Sequence, residues 1–333
     1  MFENDIPHFI ERPPSISHIV PDLRNPSFFL FSHGSALKTM VKCVGAVCSK
    51  EIAGSYREDG YVEGVGTDAR FNQIPNFLQL NKDEIVIVDG ENHCLRHIAR
   101  PSMMTSHYAG DCQTHGFADG EPLQAKFFSP DDILLDERTN KSLIITDDGN
   151  NALRSIDIAS RNTTTILKFS DRIERPRHAT FDNDDKNVLY LTVKFYVLKV
   201  FLKEKTWVEL FGVNIRKGFQ DGPFESAMTS YRAGEIVQLD ASHLVYTDFW
   251  KREVRIVDLV NQQVSSLCKT TSNGTVVNGI GCQLFFPHAI LKYNNSIFVG
   301  DNSKIHQFPC KQNSIICINL IKKNFKTKIM FQY

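Results

Sequence analysis

The chain has no apolar run of the roughly 18 residues that a membrane-crossing helix requires, so no transmembrane span is expected in its 333 residues. It has no charge bias either. Lys plus Arg and Asp plus Glu number 38 each, and a net charge of zero supplies no global field to draw the chain to DNA, to RNA or to an acidic membrane. The N-terminal stretch MFENDIPHFIERPPS lacks a basic segment followed by an apolar core and does not read as a signal peptide. That leaves a cytosolic protein or a chain without its true start. The ending KKNFKTKIMFQY carries no anchor signal. A glycine-rich phosphate loop opening a helix, a GxSxG elbow and an HExxH pair are also missing, so nucleotide, serine-hydrolase and metalloprotease chemistry find no footing.

What is present is a repeat. The apolar run Ile85–Val88 ends at Asp89; a turn containing Gly90 and Asn92 follows, and Leu95, Arg96 and Ile98 resume an apolar-basic pattern. Gly and Asn tolerate the backbone angles of tight turns, so the stretch reads as two strands of a hairpin. TDDGNNALRSI (146–156) and TDFWKREVRIV (247–257) repeat it in register, with Asp89, Asp147 and Asp248 each seven residues before an arginine: Arg96, Arg154 and Arg255. Weaker copies lie at 31–41, 191–201 and 300–308. Their apolar-basic signatures read Leu37-Lys38, Leu198-Lys199 and Ile305-His306, and Thr192 stands for the Asp in the second of them. Repeats at this spacing mean stacked supersecondary units.

A second element links the hairpins. Gly60-Tyr61-Val62-Glu63-Gly64, Gly116-Phe117-Ala118-Asp119-Gly120 and Gly218-Phe219-Gln220-Asp221-Gly222 share one pattern: Gly, aromatic, any residue, acid, Gly. A proline then precedes a short apolar run, as at Pro75, Pro130, Pro176 and Pro287. Each repeat reads as four strands, the second apolar throughout and therefore buried on both faces. The fold class expected is all-β: a six-bladed β-propeller of four-stranded antiparallel blades. It occupies residues 14–321, between an N-terminal extension at 1–13 and a tail at 322–333, with Ile315–Ile321 as the last outer strand. Residues 160–200 lack the glycine loop, and the lysines at 194, 199, 203 and 205 have no evident acidic match, so this blade is expected to open first.

On these residues the chain resembles the NHL-repeat family of six-bladed propellers. The literal signature stands at Asn92-His93-Cys94-Leu95, and the Asp before the turn and the loop endings Ala69-Arg70-Phe71 and Ala125-Lys126-Phe127 also match. The resemblance covers about residues 24–308. It implies the fold but not one activity. Members include protein- and RNA-binding domains of cytosolic ubiquitin ligases, extracellular binding domains, and a zinc-dependent peptide-amidating lyase.

Candidate sites follow. The Asp–Arg pairs read as structural, fixing hairpin register, in preference to a charged binding ring. His178 and His288 each begin a post-proline strand and are placed to face the central channel. The resemblance to the amidating lyase implies a metal position at His288 and, less directly because of Arg177, at His178. Zinc or calcium is the metal in question; with Asn76 and Asp131 in the corresponding places, no third histidine completes a zinc set, and the preferred expectation is no cofactor. His93, His97, His115 and His243 read as surface groups. Trp250, beside Phe249 in a turn, is a candidate anchor for a partner, though packing on the next blade is favoured. The cysteines fall in couples, 43 with 48, 94 with 112, 268 with 282 and 310 with 317; bridges are expected first at Cys94–Cys112 and then Cys268–Cys282. With the sequons at Asn140, Asn162, Asn273 and Asn294, the couples favour an extracellular glycoprotein. The expected function is a non-enzymatic module that binds a protein partner. An amidating-lyase-like metalloenzyme and an RNA-binding propeller are the alternatives.

Overall fold

The apolar runs that end at an acidic residue form the second strands of small antiparallel sheets. The computed structural model describes residues 15–43, 46–170, 173–212, 219–270, 276–277, 284–294, 296–302, 304–309 and 328–332. Six sheets follow one another along the chain. Blade 1 comprises Ile16–Asp22, Asn25–His33, Ala36–Cys43 and Ala46–Gly54. Blade 2 comprises Phe77–Gln79, Glu84–Asp89, Cys94–Ala99 and Met104–Ala109, and blade 3 Pro130–Leu135, Ser142–Asp147, Ala152–Asp157 and Thr163–Lys168. Blade 4 holds Ala179–Phe181, Val188–Val193, Tyr196–Phe201 and Thr206–Gly212, and blade 5 Ala233–Asp240, His243–Asp248, Glu253–Asp258 and Gln263–Thr270. Blade 6 holds Pro287–Tyr293, Ser296–Asp301, Lys304–Pro309 and Lys328–Gln332. The chain is a six-bladed β-propeller, with helix confined to short 3-10 turns among the described residues.

Residues 315–321 lie outside the described residues. Lys328–Gln332, read from the sequence as tail, pairs with Lys304–Gln307 and is the outer strand of blade 6.

Strand direction alternates within each blade. The second-to-third turns and the connections between blades therefore share one face, the upper face below, and the remaining turns form the lower face. Apolar side chains fill the gaps between blades: Ile144 and Leu153 meet Leu189, Leu191 and Leu198, and Ile16 and Phe31 meet Ala289 and Phe298 where blade 1 closes on blade 6. Burial on both faces is what the unbroken apolar strands require.

The repeated polar residues form a clamp at the edge of each regular blade. Arg154 is fully buried. It donates to Asp147 Oδ2 at 2.8 Å, to Asp119 Oδ1 at 2.7 Å and to the carbonyls of Ala118 and Lys126. Its guanidinium lies over the Phe117 ring at 4.7 Å. The glycine loop thus supplies an aromatic face and an acid for the arginine of the blade that follows. Arg96 repeats this with Tyr61, at 4.5 Å, and with Asp89, at 3.2 Å. The aspartate also accepts the backbone N–H of the incoming connection: Asn72 for Asp89 and Phe128 for Asp147. Asn92 and Asn150 complete its shell.

Blade 5 departs in one contact. Arg255 lies over Phe219 and bonds Asp221, Tyr246 Oη and two carbonyls, while Asp248 is held by Ser230. The direct Asp–Arg bond expected there is replaced by these partners. In blade 6 the same positions carry Asp301 and His306, 3.5 Å apart.

Blade 4 corrects the sequence register. Val193 pairs with Tyr196 as Asp147 pairs with Ala152, and Leu191 pairs with Leu198 as Ile145 pairs with Arg154. Val193, not Thr192, therefore stands in the Asp position, and Leu198, not Lys199, in the Arg position. The reason is a tighter turn, Lys194-Phe195 in place of 148–151. Thr192 aligns with Thr146 and Thr247, and all three hydroxyls donate to an inner-strand or adjoining carbonyl of the next blade. Of the four lysines expected to lack an acidic match there, Lys194 has one in Glu174.

Cys94 and Cys112 form a disulfide with Cα atoms 5.0 Å apart, tying the third strand of blade 2 to the loop beyond its outer strand. Cys48 is also bridged, and there is no free cysteine among the described residues. Cys282 lies outside them, and with it the Cys268–Cys282 bridge.

Candidate functional site

The six inner strands bring one residue each to the upper end of the central channel. Register fixes the set: His18 opposite Ser32, Asp132 opposite Thr146, Ala289 opposite Gly300, and Asn76, His178 and Glu235 in the same place on blades 2, 4 and 5. Asn76, Asp132, His178 and Glu235 are all buried, His18 partly so.

These polar groups are tied to one another and to the neighbouring strand. Asn76 Nδ2 donates to Asp132 Oδ1. Asp132 accepts the N–H of Ala179 from blade 4 at 2.8 Å, and Glu235 accepts the N–H of Ile290 from blade 6 at 2.7 Å. The other Glu235 oxygen meets His18 Nδ1. That contact spans two blades, because the intervening position carries only the methyl of Ala289. Burial pushes the Asp132 carboxyl up to about 6, against the pull of His178 and the Ala179 amide. Burial also opposes protonation of His18, but Glu235 outweighs it and holds the imidazole above its usual range.

One residue earlier on these strands stand Asp131, Arg177 and His288. Asp131 lies 3.4 Å from His178 Nε2 and 3.9 Å from Arg177, and Arg177 reaches Asp148 at 3.5 Å. His288 Nδ1 bonds the Ser17 carbonyl at 3.0 Å. Burial, then the charges of His178 and Arg232, hold His288 well below the ordinary histidine value. The two histidines singled out in the sequence do meet, with ring centroids 5.0 Å apart and planes nearly perpendicular. They do not fit a three-ligand zinc centre. Ser17 engages one ring, the Arg177 cation stands beside the nearest carboxylate, and among the described residues no group of three or more His, Cys, Asp or Glu is arranged to hold a metal.

Around this mouth the upper face carries aromatic groups. Tyr56 stacks on His33 at 4.5 Å, His115 on Phe128 at 4.6 Å, and Phe195 meets Tyr231 edge-on. Trp250 is 43% exposed and stands edge-on to Phe249, which itself packs on Phe286 of the connection into blade 6. The packing role considered for Trp250 thus falls to its neighbour. His93, His97 and His243, read as surface groups, are half-buried: His93 accepts the Ser129 N–H, His97 lies beside Glu84, and His243 bonds Asp240. His18, Asp132 and Glu235 were not singled out in the sequence. They lack a shared residue type, and only the inner-strand register aligns them.

No known family profile matches the chain, and no curated protein matches it by sequence. Solved structures match its fold. An auxiliary nutrient binding protein from Bacteroides thetaiotaomicron superposes with a TM-score of 0.63 at 14% identity, over 86% of this chain and 66% of that one, so the present chain spans just under two thirds of its length. A nidogen/laminin complex gives 0.54 at 11%, covering 90% and 91%. Virginiamycin B lyase from Staphylococcus aureus gives 0.52 at 12%, covering 88% and 93%. At these identities the likeness is one of β-propeller fold, shared by binding proteins and an enzyme.

Proposed function

We propose that the chain is an NHL-type propeller that acts outside the cell as a non-enzymatic protein-binding module and docks its partner on the upper face. The observation that carries this reading is the circle of partly exposed aromatics there, with Tyr56, Phe128, Trp250 and Phe285 each at least a third exposed. Large aromatic side chains dominate the energetics of protein interfaces. The exposed sequon asparagines Asn140, Asn162 and Asn294 all fall in turns of the lower face, so glycans there leave the upper face open. The Cys94–Cys112 bridge and the structural likeness to a nutrient binding protein fit an oxidising location. The channel groups fit a binding role in that they bond mainly each other and the backbone, which positions the blades.

The test is affinity capture with the folded, secreted propeller and with a Tyr56→Ala/Trp250→Ala variant. A partner protein retained by the first and weakened at least about tenfold by the second supports the assignment. Capture unaffected by the variant overturns the upper face as the site. Stoichiometric zinc, lost in a His178→Ala/His288→Ala variant, overturns the non-enzymatic reading, and an RNA recovered in place of a protein overturns the partner class.

A further inference from the structure

Arg177 stands apart from the clamp arginines. Arg96, Arg154 and Arg255 each donate through both terminal nitrogens, and only their Nε lacks a hydrogen bond. Arg177 is 2% exposed, yet neither its Nε nor its Nη1 has a hydrogen-bond partner among the described residues. Its nearest carboxylates, Asp148 at 3.5 Å from Nη2 and Asp131 at 3.9 Å from Nη1, are at ion-pair range without bonding it. His178 beside it bonds through neither ring nitrogen, and Nε2 rests 3.4 Å from Asp131. Buried donors left unbonded are costly, and native proteins keep few of them.

These groups stand at the upper mouth of the channel. The His178 and His288 rings meet across it from blades 4 and 6 and form a floor. After burial, the charges of His178 and Arg232 keep His288 well below the ordinary histidine value, so the potential at this floor is positive. More cations surround it. Arg175 shares Asp148 with Arg177 at 3.1 Å, and its side chain is 37% exposed. Lys194 lies over the Phe195 and Tyr231 rings at 5.5 and 5.4 Å. Arg232 lies over Phe249 at 4.8 Å, and Phe249 in turn meets the His288 ring. Lys251 and Arg252, both exposed, lie over Phe219 and Phe286 at 5.7 and 5.3 Å. Asp131, Asp148 and Glu174 answer Arg175, Arg177 and Lys194. Lys251 and Arg252 make no ion pair among the described residues.

We propose that the upper mouth between blades 3 and 6 receives an acidic segment of the partner protein, one Asp or Glu side chain being lowered onto Arg177. This rests on the upper-face reading above and names the chemistry of what docks there. Charge complementarity selects the occupant. A carboxylate entering past Arg175 supplies the acceptor that Arg177 lacks, in a charge-assisted bond of the strong kind. Further acids of the same segment match the exposed Lys251 and Arg252, which the single carboxylate of a chain terminus does not. Burial decides against nucleic acid. The phosphates of RNA lie along a continuous backbone and do not reach a group so enclosed, whereas a glutamate side chain ends in its charge. The rings of Phe195, Tyr231 and Trp250 cover the apolar flanks of the segment.

The test is selection of a display library of short random peptides on the full chain, with affinities of the selected peptides measured by fluorescence anisotropy. Enrichment is expected for segments with two or more Asp or Glu beside an apolar residue. Changing the critical acid of a peptide to its amide should weaken binding at least about tenfold. Arg177→Gln should weaken it as much, and Arg177→Lys less, because the charge is kept. Lys251→Gln/Arg252→Gln changes only exposed side chains; it should weaken binding and flatten its salt dependence, and it decides the matter if the Arg177 variants fail to fold. No acidic enrichment, or a peptide indifferent to the folded variants, overturns the proposal. So does an RNA oligonucleotide that binds more tightly than any peptide and is lost in the same variants. A partner protein weakened by Tyr56→Ala/Trp250→Ala but not by the charge variants sinks the acidic site and leaves the upper-face reading standing. Acidic peptides lost in Arg177→Gln but unaffected by Tyr56→Ala/Trp250→Ala do the reverse.

Discussion

Replacing Arg154 by leucine gives the sharpest probe of the clamp, because blade 4 already carries the apolar answer at those positions. In the native blade Arg154 satisfies Asp147, Asp119 and the carbonyls of Ala118 and Lys126 with no exposure to solvent. Arg154→Leu strands a buried carboxylate, a loss of about 3–5 kcal/mol. Asp147→Val leaves the guanidinium its other acceptors but removes the acceptor of the Phe128 N–H, so its cost is about 2–4 kcal/mol. The double variant Asp147→Val/Arg154→Leu recreates the Val193/Leu198 pair. It should recover about 2 kcal/mol relative to the sum of the singles. It does not return to wild type, since Phe128 N and two carbonyls lose partners at about 1–3 kcal/mol each. The assay is equilibrium urea unfolding, with midpoints compared at unchanged slope. A pH signature accompanies it. Burial already pushes Asp147 up to about 6; without Arg154 the carboxyl rises further, and a raised acid regains stability as pH falls. The Arg154→Leu penalty should therefore be smaller at pH 5 than at pH 8, by at least about 1.4 kcal/mol. Singles that add to the double within about 0.5 kcal/mol would refute the claim that Asp and Arg form one unit.

Asp132, with its carboxyl raised to about 6, contributes stability that is fully present below the ordinary carboxylate value and lost as pH rises through 6. Relative to Asp132→Asn, the wild type should lose about 3 kcal/mol between pH 4 and 7, and a flat difference would place the titration elsewhere. In hydrogen exchange the wholly buried Val188–Val193 should be as protected as Glu84–Asp89, with the more exposed Thr206–Gly212 the fastest strand of blade 4; uniform protection across the blade would contradict a gradient set by burial. Cys112→Ser removes a bridge between residues 18 apart in sequence and should lower stability by about 3 kcal/mol on a loop-closure basis. An unchanged unfolding midpoint would show that the loop is held by its backbone bonds alone.

Blade architecture was legible in the sequence because two periodic signals agreed: apolar second strands, and turn residues at fixed offsets. The Asp–Arg spacing pointed to neighbouring strands in Asp89–Arg96 and Asp147–Arg154, where the side chains do meet. Less visible was what surrounds them. Nothing in the spacing tells that Tyr61, Phe117 and Phe219 lie on the arginines of the following blades, because that contact is set by the loop's path. The spacing gives blade 4 a register one residue off because its turn is shorter, and since side chains alternate faces, that one residue puts Leu198 and not Lys199 in the clamp position. His18, Asn76, Asp132, His178 and Glu235 share a ring through strand register across five blades, a relation that sequence spacing does not encode.

The apolar pair and the short connection of blade 4 follow from one another. Without a glycine loop, a buried arginine at residue 198 would lack the aromatic face, the acid and the two carbonyls that satisfy Arg154. An aspartate at residue 193 would then be buried without its cation. Both groups would cost several kcal/mol, whereas Val193 and Leu198 join Leu189, Leu191 and Ile173 in one apolar cluster. Once the connection shortens, the apolar pair is the favoured filling. Among the described residues, no segment pairs with the outer strand of blade 4 as Gly64–Val65 and Gly222–Pro223 do in blades 2 and 5. Blade 4 is therefore as well buried as its neighbours toward the channel, by apolar packing in place of a buried ion pair, and the two fillings differ in the pH dependence of stability that each predicts.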